Sequence, residues 1–324
     1  MRIQEAYGLI KEDLKGVEQE FKRNLDSQVY LIRKLGEYIL NSGGKRFRPT
    51  LVLLSAKLCN YQGNRHTPLA SIIEFIHTAT LLHDDVVDNA RMRRGRESTN
   101  AVWGNGASVL VGDFLFSKSF YLMVEDGDMR VLQLLSRTTT RMAEGEVLQL
   151  LKSSDPETTE EEYINVITSK TAVLISAACQ IGAILGKVSK EKEKALAGFG
   201  MDMGIAFQLV DDCLDYISRD EELGKVIGND LKEGKVTLPL IHTLGKSSPE
   251  EREKIIEAIE ADDLDDPQLK YVMGLLNNYK SIGYTLSRAR RHIEGAKSYL
   301  EVFGPSPERS ALVALADYVV ERSY

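Results

Sequence analysis

The 324-residue chain contains only three cysteines, Cys59, Cys179 and Cys213, widely spaced and without a CxxC pair. An odd, scattered set gives no disulfide framework and fits a reducing, intracellular setting in which each thiol is a small buried residue. A basic surplus is missing too. The 48 acidic against 41 basic residues give a net charge of -7, which argues against general nucleic-acid binding. The opening MRIQEAYGLIKEDLKG is charged throughout and has no apolar signal-peptide core, so secretion is not expected. The longest strongly apolar stretch without charge, residues 171–186, has 16 residues; about 20 are needed to span a bilayer. No integral membrane segment is expected. Long alternating runs of valine, isoleucine and threonine are absent, which removes the strand signal. Also absent are HExxH, a nucleotide-binding GxxxxGK[ST] and any Pro-, Gly- or Ser-rich linker.

What remains is helical periodicity along nearly the whole chain. Prolines are few and punctuate it. Pro49 follows Gly43-Gly44, Pro68 follows the turn at 60–67, and Pro156 lies in a polar Ser-Ser-Asp-Pro loop. Gly304-Pro305-Ser306-Pro307 stops one helix and starts the next. The pattern predicts helices near residues 2–23, 27–41, 48–59, 67–90, 106–125, 128–153, 159–186, 190–218, 237–246, 249–262, 267–281, 284–302 and 307–322. With 43% hydrophobic and 27% charged residues the chain can bury a large core. One all-α domain covering residues 1–324 is expected.

Two acidic clusters stand out, Asp84-Asp85-Val86-Val87-Asp88 and Asp211-Asp212-Cys213-Leu214-Asp215, 127 positions apart and each at the polar end of an apolar helical segment. Residues four apart share a helix face, so Asp84 pairs with Asp88 and Asp211 with Asp215, while Asp85 and Asp212 sit about 100° round. Carboxylates this close repel one another, a cost that a bound cation removes. Hard oxygen donors suit magnesium, which takes one or two carboxylates, water and phosphate oxygens. The repetition suggests two related helices facing each other. A solvated acidic face is the plainer reading of either cluster alone. A glycosidase-like acid and base pair fits less well, because it needs one carboxylic acid of raised pKa rather than six clustered carboxylates. His77 lies seven residues before Asp84 on the same face, either as a satisfied core histidine or as a donor facing a ligand.

Positive charge is concentrated beside this acid. Gly43-Gly44-Lys45-Arg46-Phe47-Arg48-Pro49 leads into a helix start, where amides favour anions. Arg91-Met92-Arg93-Arg94-Gly95 follows the first cluster, and Gly224-Lys225, Gly228 and Gly234-Lys235-Val236-Thr237-Leu238-Pro239 follow the second. Arginines grip diphosphate oxygens bidentately. Lysines on a glycine-rich loop can close over the ligand and exclude water. Gln208, one turn before Asp212, shares its face.

GGKRFRP, DDVVD with RRG, Lys170-Thr171, FQLVDDCLD and GKVIGNDLKEGKVTLP occur in that order between residues 30 and 245. Together they resemble the trans-prenyl diphosphate synthases, or polyprenyl synthetases. The resemblance implies an all-helical bundle of the isoprenoid synthase type with a central apolar cavity, usually homodimeric, that condenses isopentenyl diphosphate with an allylic diphosphate. It implies magnesium, three ions per site with substrate bound. Asp84, Asp88 and Asp211 would be direct ligands, with Asp85, Asp212 and Asp215 supporting. Lys45, Arg48, His77 and Arg94 would hold isopentenyl diphosphate. Arg93, Lys170, Gln208, Lys225 and Lys235 would hold the allylic diphosphate, with Thr171 near the reacting centre; Lys170, Thr171, Gln208 and Lys235 form the implied catalytic group. In the family, aromatics at the positions of Ala79 and Thr80 block chain growth. Their absence here, with Ile73 further down the helix, implies a medium or long product, such as a quinone side chain; the scattered cysteines and the charged N-terminus set the expected location in the cytoplasm. A terpene cyclase resembles the chain less, since Leu214 breaks its second metal pattern. A non-catalytic partner subunit would have lost aspartates or basic residues, and none is lost; a need for a small accessory subunit remains open.

Overall fold

Periodicity of apolar residues is realised as helix almost throughout the computed structural model, which describes residues 1–41, 43, 46–93, 95–217, 228–261 and 264–322. The chain divides into two compact units. The first comprises Met1–Thr139, Leu174–Gly200 and Tyr299–Leu315; the second comprises Thr140–Val173, Met201–Ser298 and Ala316–Tyr324.

The first unit begins with α1 (Ile3–Gly8), α2 (Lys11–Asn24), α3 (Tyr30–Asn41), α4 (Phe47–Leu58), α5 (His66–Val87), α6 (Thr99–Trp103), α7 (Asn105–Asp126) and the start of α8 (Met129–Leu151). The single helix expected over 2–23 is broken after Gly8, where low helix propensity meets a fully buried Ile10. α5 organises this unit. It packs against α7, α4 and α2, and Phe75 stacks on Phe21 of α2 with ring centroids 4.3 Å apart. Leu25, Leu35, Ala79, Leu82, Val111 and Leu115 complete that cluster. Between α5 and α6 lies a small hairpin, β1 (Met92–Arg93) paired antiparallel with β2 (Arg96–Glu97), too short to give a strand periodicity. Later in the chain, Gly182 and Gly186 let their helix lie directly on α4: a Cβ at either would fall 2.4 Å from Ser55 Cβ or 2.3 Å from Cys59 Cβ.

The second unit holds the rest of α8, then α9 (Glu160–Ile167) and a π-helical turn, Thr168–Ala172, which runs into α10 (Val173–Leu185). It also takes the C-terminal part of α11 (Lys190–Ile217), then α12 (Asn229–Lys232), α13 (Leu238–Leu244), α14 (Pro249–Glu260), α15 (Asp266–Asn278), most of α16 (Ser281–Tyr299) and the end of α17 (Pro307–Glu321). Helix starts follow sequence signals: Thr159 with Glu162, Ser248 with Glu251 and Asp265 with Gln268 form reciprocal capping boxes. Tyr216, Leu231, Leu240, Ile255, Val272 and Leu276 build the core of this unit.

All three cysteines are free and buried. Burial pushes each thiol up to about 12, with neighbouring Asp212 adding to the effect at Cys213. Thiolates are the reactive form, so Ellman's reagent at pH 8 should label the native protein at least ~100-fold more slowly than the denatured chain. Because the folded values lie above the unfolded value near 8.5, the associated stability is present below that pH and is lost as pH rises toward 12. Rapid labelling of the native state would refute the burial.

Candidate active site

α5 ends at Val87 with Asp88 as its C-cap, whose amide donates to the Asp84 carbonyl at 2.8 Å. Asp84, Asp85 and Asp88 therefore stand at the negative end of the helix dipole, where carboxylates are unfavourable. The three are not equivalent. Asp85 is only 2% exposed and accepts Arg93 Nε at 2.6 Å. Burial raises its pKa, Arg93 opposes, and Asp84 and Asp88 add to the rise. The Asp85 carbonyl accepts Asn100 Nδ2 at 3.0 Å, tying the cluster to α6. Arg93, expected at the allylic diphosphate, thus already neutralises Asp85 across the hairpin. His77 Nε2 lies 3.1 Å from Arg48 Nη1. An arginine can only donate, so this nitrogen accepts and the ring proton sits on Nδ1. That contact joins two of the residues expected at isopentenyl diphosphate.

The second cluster stands near the C-terminal end of α11 and shows the same inequality. Asp212 is buried; Oδ2 accepts the Tyr163 hydroxyl at 2.5 Å and Oδ1 accepts Gln208 Nε2 at 2.8 Å. Thr171 Oγ1 donates to Gln208 Oε1 at 2.9 Å, so Thr171, Gln208, Asp212 and Tyr163 form one chain of hydrogen bonds. Burial lifts Asp212 to about 7, Tyr163 and Gln208 oppose, and Asp211 and Asp215 add to the lift. Asp215 Oδ2 accepts the amide of Asp230 at 3.0 Å, which anchors the start of α12 to α11. Asp211 is exposed. Arg322 approaches it to 3.6 Å, with its guanidinium 3.9 Å over the Phe207 ring and Nη2 donating to the Phe207 carbonyl at 2.9 Å.

Lys170 and Thr171 lie in the π-helical turn, an irregularity common at functional sites. The turn rests on Gly145 of α8, where a Cβ would come within 2.8 Å of the Lys170 amide nitrogen. Lys170 Nζ meets Glu146 at 2.7 Å and Lys235 Nζ meets Glu233 at 2.6 Å. Lys45, Arg94 and Lys225 lie outside the described residues. Ile73 and Ala79 are fully buried, and Ala79 belongs to the Phe75 cluster. Thr80 is half-buried, with its hydroxyl on the His77 carbonyl at 2.9 Å.

Tyr163, Glu146, Glu74 and Arg322 were not singled out by sequence. Only Glu74 carried a usable signal, as a charge inside the apolar run IIEFI, where burial demands a partner. Removing the Tyr163 hydroxyl leaves a buried carboxylate short of a donor. Tyr163→Phe should therefore cost about 1–3 kcal/mol, read by urea denaturation; an unchanged midpoint would show that Asp212 is satisfied without it.

Among the described residues, no three His, Cys, Asp or Glu side chains converge as a metal cage. Magnesium needs none, since one or two carboxylates suffice when water and phosphate complete its shell. The donor set is all-oxygen and sits at helix ends whose dipole a cation offsets. It fits that ion.

The polyprenyl synthetase family model matches residues 29–276. The chain is 45% identical over 322 residues to octaprenyl diphosphate synthase of Escherichia coli (strain K12), covering 99% of both chains. It is 32% identical over 324 residues to heptaprenyl diphosphate synthase component 2 of Bacillus subtilis (strain 168), covering all of this chain and 92% of that one. The crystal structure of a polyprenyl synthase from Caulobacter crescentus CB15, complexed with calcium and isoprenyl diphosphate, superimposes with a TM-score of 0.95 at 39% identity, covering 99% of this chain and 98% of the other.

Proposed function

The chain belongs to the polyprenyl synthetase family, and on that premise we propose that it extends an allylic diphosphate with isopentenyl diphosphate, using magnesium held by Asp84, Asp88 and Asp211. It is a prenyltransferase making polyprenyl diphosphates longer than fifteen carbons. The observation that supports the site is the inequality within both clusters. Asp85 and Asp212 are buried against protein donors and Asp215 accepts the Asp230 amide, whereas Asp84 and Asp88 are half-buried and Asp211 is exposed, which supports those three as the metal ligands.

In the reaction the allylic carbon–oxygen bond breaks and its electron pair leaves with the diphosphate. The isopentenyl double bond attacks the allylic carbon, and a proton then passes to the departing diphosphate, restoring a double bond. Magnesium, when bound, supplies charge stabilisation to that leaving group. Lys170, Gln208, Lys235, Lys225 and Arg93 hold the allylic diphosphate, and a lysine can release its glutamate partner as the stronger anion arrives. Thr171 is oriented by Gln208 next to them. Arg48, His77, Lys45 and Arg94 hold isopentenyl diphosphate. Water must be kept from the carbocation, and Thr80, Ile73 and Ala79 on α5 are the residues assigned to chain length.

The family model runs through segments of both units, which supports one synthase domain over the chain. Exposed Leu110, Tyr121 and Val124 along the long apolar helix α7 support a homodimer, since such surface on a monomer usually marks an interface. The relative named as a second component keeps an accessory subunit in view. The acidic balance supports no nucleic-acid partner, and we place the enzyme in the cytoplasm. Incubating the purified chain with labelled isopentenyl diphosphate, an allylic primer and magnesium should give a long lipid product. Activity of the chain alone would dispense with an accessory subunit. No consumption of isopentenyl diphosphate, with or without one, would overturn the reading.

A further inference from the structure

Arg46 belongs by sequence to the basic cluster before α4, yet its side chain is committed to the protein. It is the N-cap of α4 with φ 47° and ψ 41°, a left-handed conformation that glycine adopts freely and a residue with a Cβ adopts at a cost. The side chain is 13% exposed, and its Nη1 donates to Oε1 of Glu74, itself 9% exposed, at 2.7 Å. The Arg46 carbonyl accepts both the amide and the hydroxyl of Thr50, at 3.0 and 2.9 Å. Two residues on, Arg48 meets His77. Glu74 and His77 are three apart on α5 and so lie on one face. Two parallel bridges therefore join the start of α4 to α5, one buried and closed on itself, the other half-buried and made of the residues assigned to isopentenyl diphosphate.

Packing explains neither feature of Arg46. A buried ion pair seldom adds stability over apolar residues of equal volume, and glycine would remove the backbone strain. What the pair does provide is direction, because it fixes the turn from which Arg48 leaves α4 and the stretch of α5 from which His77 meets it. Resting on the assignment of Arg48 and His77 to isopentenyl diphosphate, we infer that Arg46 and Glu74 are a positioning pair for that substrate and not ligands of it.

The test is steady-state kinetics with both substrates varied. Glu74→Gln, nearly isosteric, should raise KM for isopentenyl diphosphate about 10-fold while leaving KM for the allylic substrate unchanged. The double variant Arg46→Met with Glu74→Met should recover the thermal midpoint, because no buried charge is left unpaired, yet keep the raised KM. Wild-type KM in either variant would overturn the positioning role, the double variant by showing that the pair only maintains stability. Arg48→Ala distinguishes the underlying assignment. It should raise the same KM strongly, and an unchanged value would overturn the substrate assignment itself, whatever the Glu74 variants show.

Discussion

Asp84→Ala is expected to lower turnover by about 10³-fold or more while leaving the circular dichroism spectrum and thermal midpoint of the protein intact. Asp84 is half-exposed at the C-terminal end of α5, where a carboxylate opposes the helix dipole. Its removal also relieves the repulsion that it exerts on buried Asp85. Asp85→Ala is the contrasting variant: it strips the Arg93 guanidinium of its buried partner and should lower stability by about 1–3 kcal/mol. Parallel melts with and without magnesium separate the two, because the metal-dependent rise in midpoint should vanish for Asp84→Ala. Near-normal turnover with a retained magnesium shift would remove Asp84 from the metal site.

Thr80→Phe should shorten the product by several isoprene units while the first condensation keeps its rate within a few-fold, because the added ring stands a turn before Asp84 on α5 and replaces no side chain assigned to hold a diphosphate. Ala79→Phe is a poorer probe despite the family pattern. Ala79 is fully buried among Phe75, Leu82 and Leu115, and overpacking there should cost about 1–3 kcal/mol. Chain length is read by reversed-phase separation of the dephosphorylated products against wild type. An unchanged length for Thr80→Phe would take Thr80 out of the wall that limits growth.

Long helices were legible because burial on one face repeats with the helical period. α5 and α11 fall within three residues of their expected ends. Gly304-Pro305-Ser306-Pro307 marked the start of α17, and α9, α14 and α15 start at capping boxes, since unsatisfied amides select their partners locally. The break between α1 and α2 and the π-helical turn at Thr168–Ala172 left no such mark. Both reconcile a helix with a neighbour: Ile10 seeks full burial, and the turn that carries Lys170 is seated on Gly145.

The two aspartate clusters show the same division. Spacing alone put Asp84 with Asp88 and Asp211 with Asp215, and the order of basic motifs around them was enough to identify the chemistry. Spacing could not say that Asp85 answers to Arg93, that Asp212 answers to Tyr163 and Gln208, or that Arg46 turns inward to Glu74. Those partners lie from 4 to 49 positions away, and most are brought together by packing between elements. Helical period and residue type are local quantities carried by neighbouring residues, whereas a buried charge acquires its partner, and with it its role, only when distant segments close around it and exclude water.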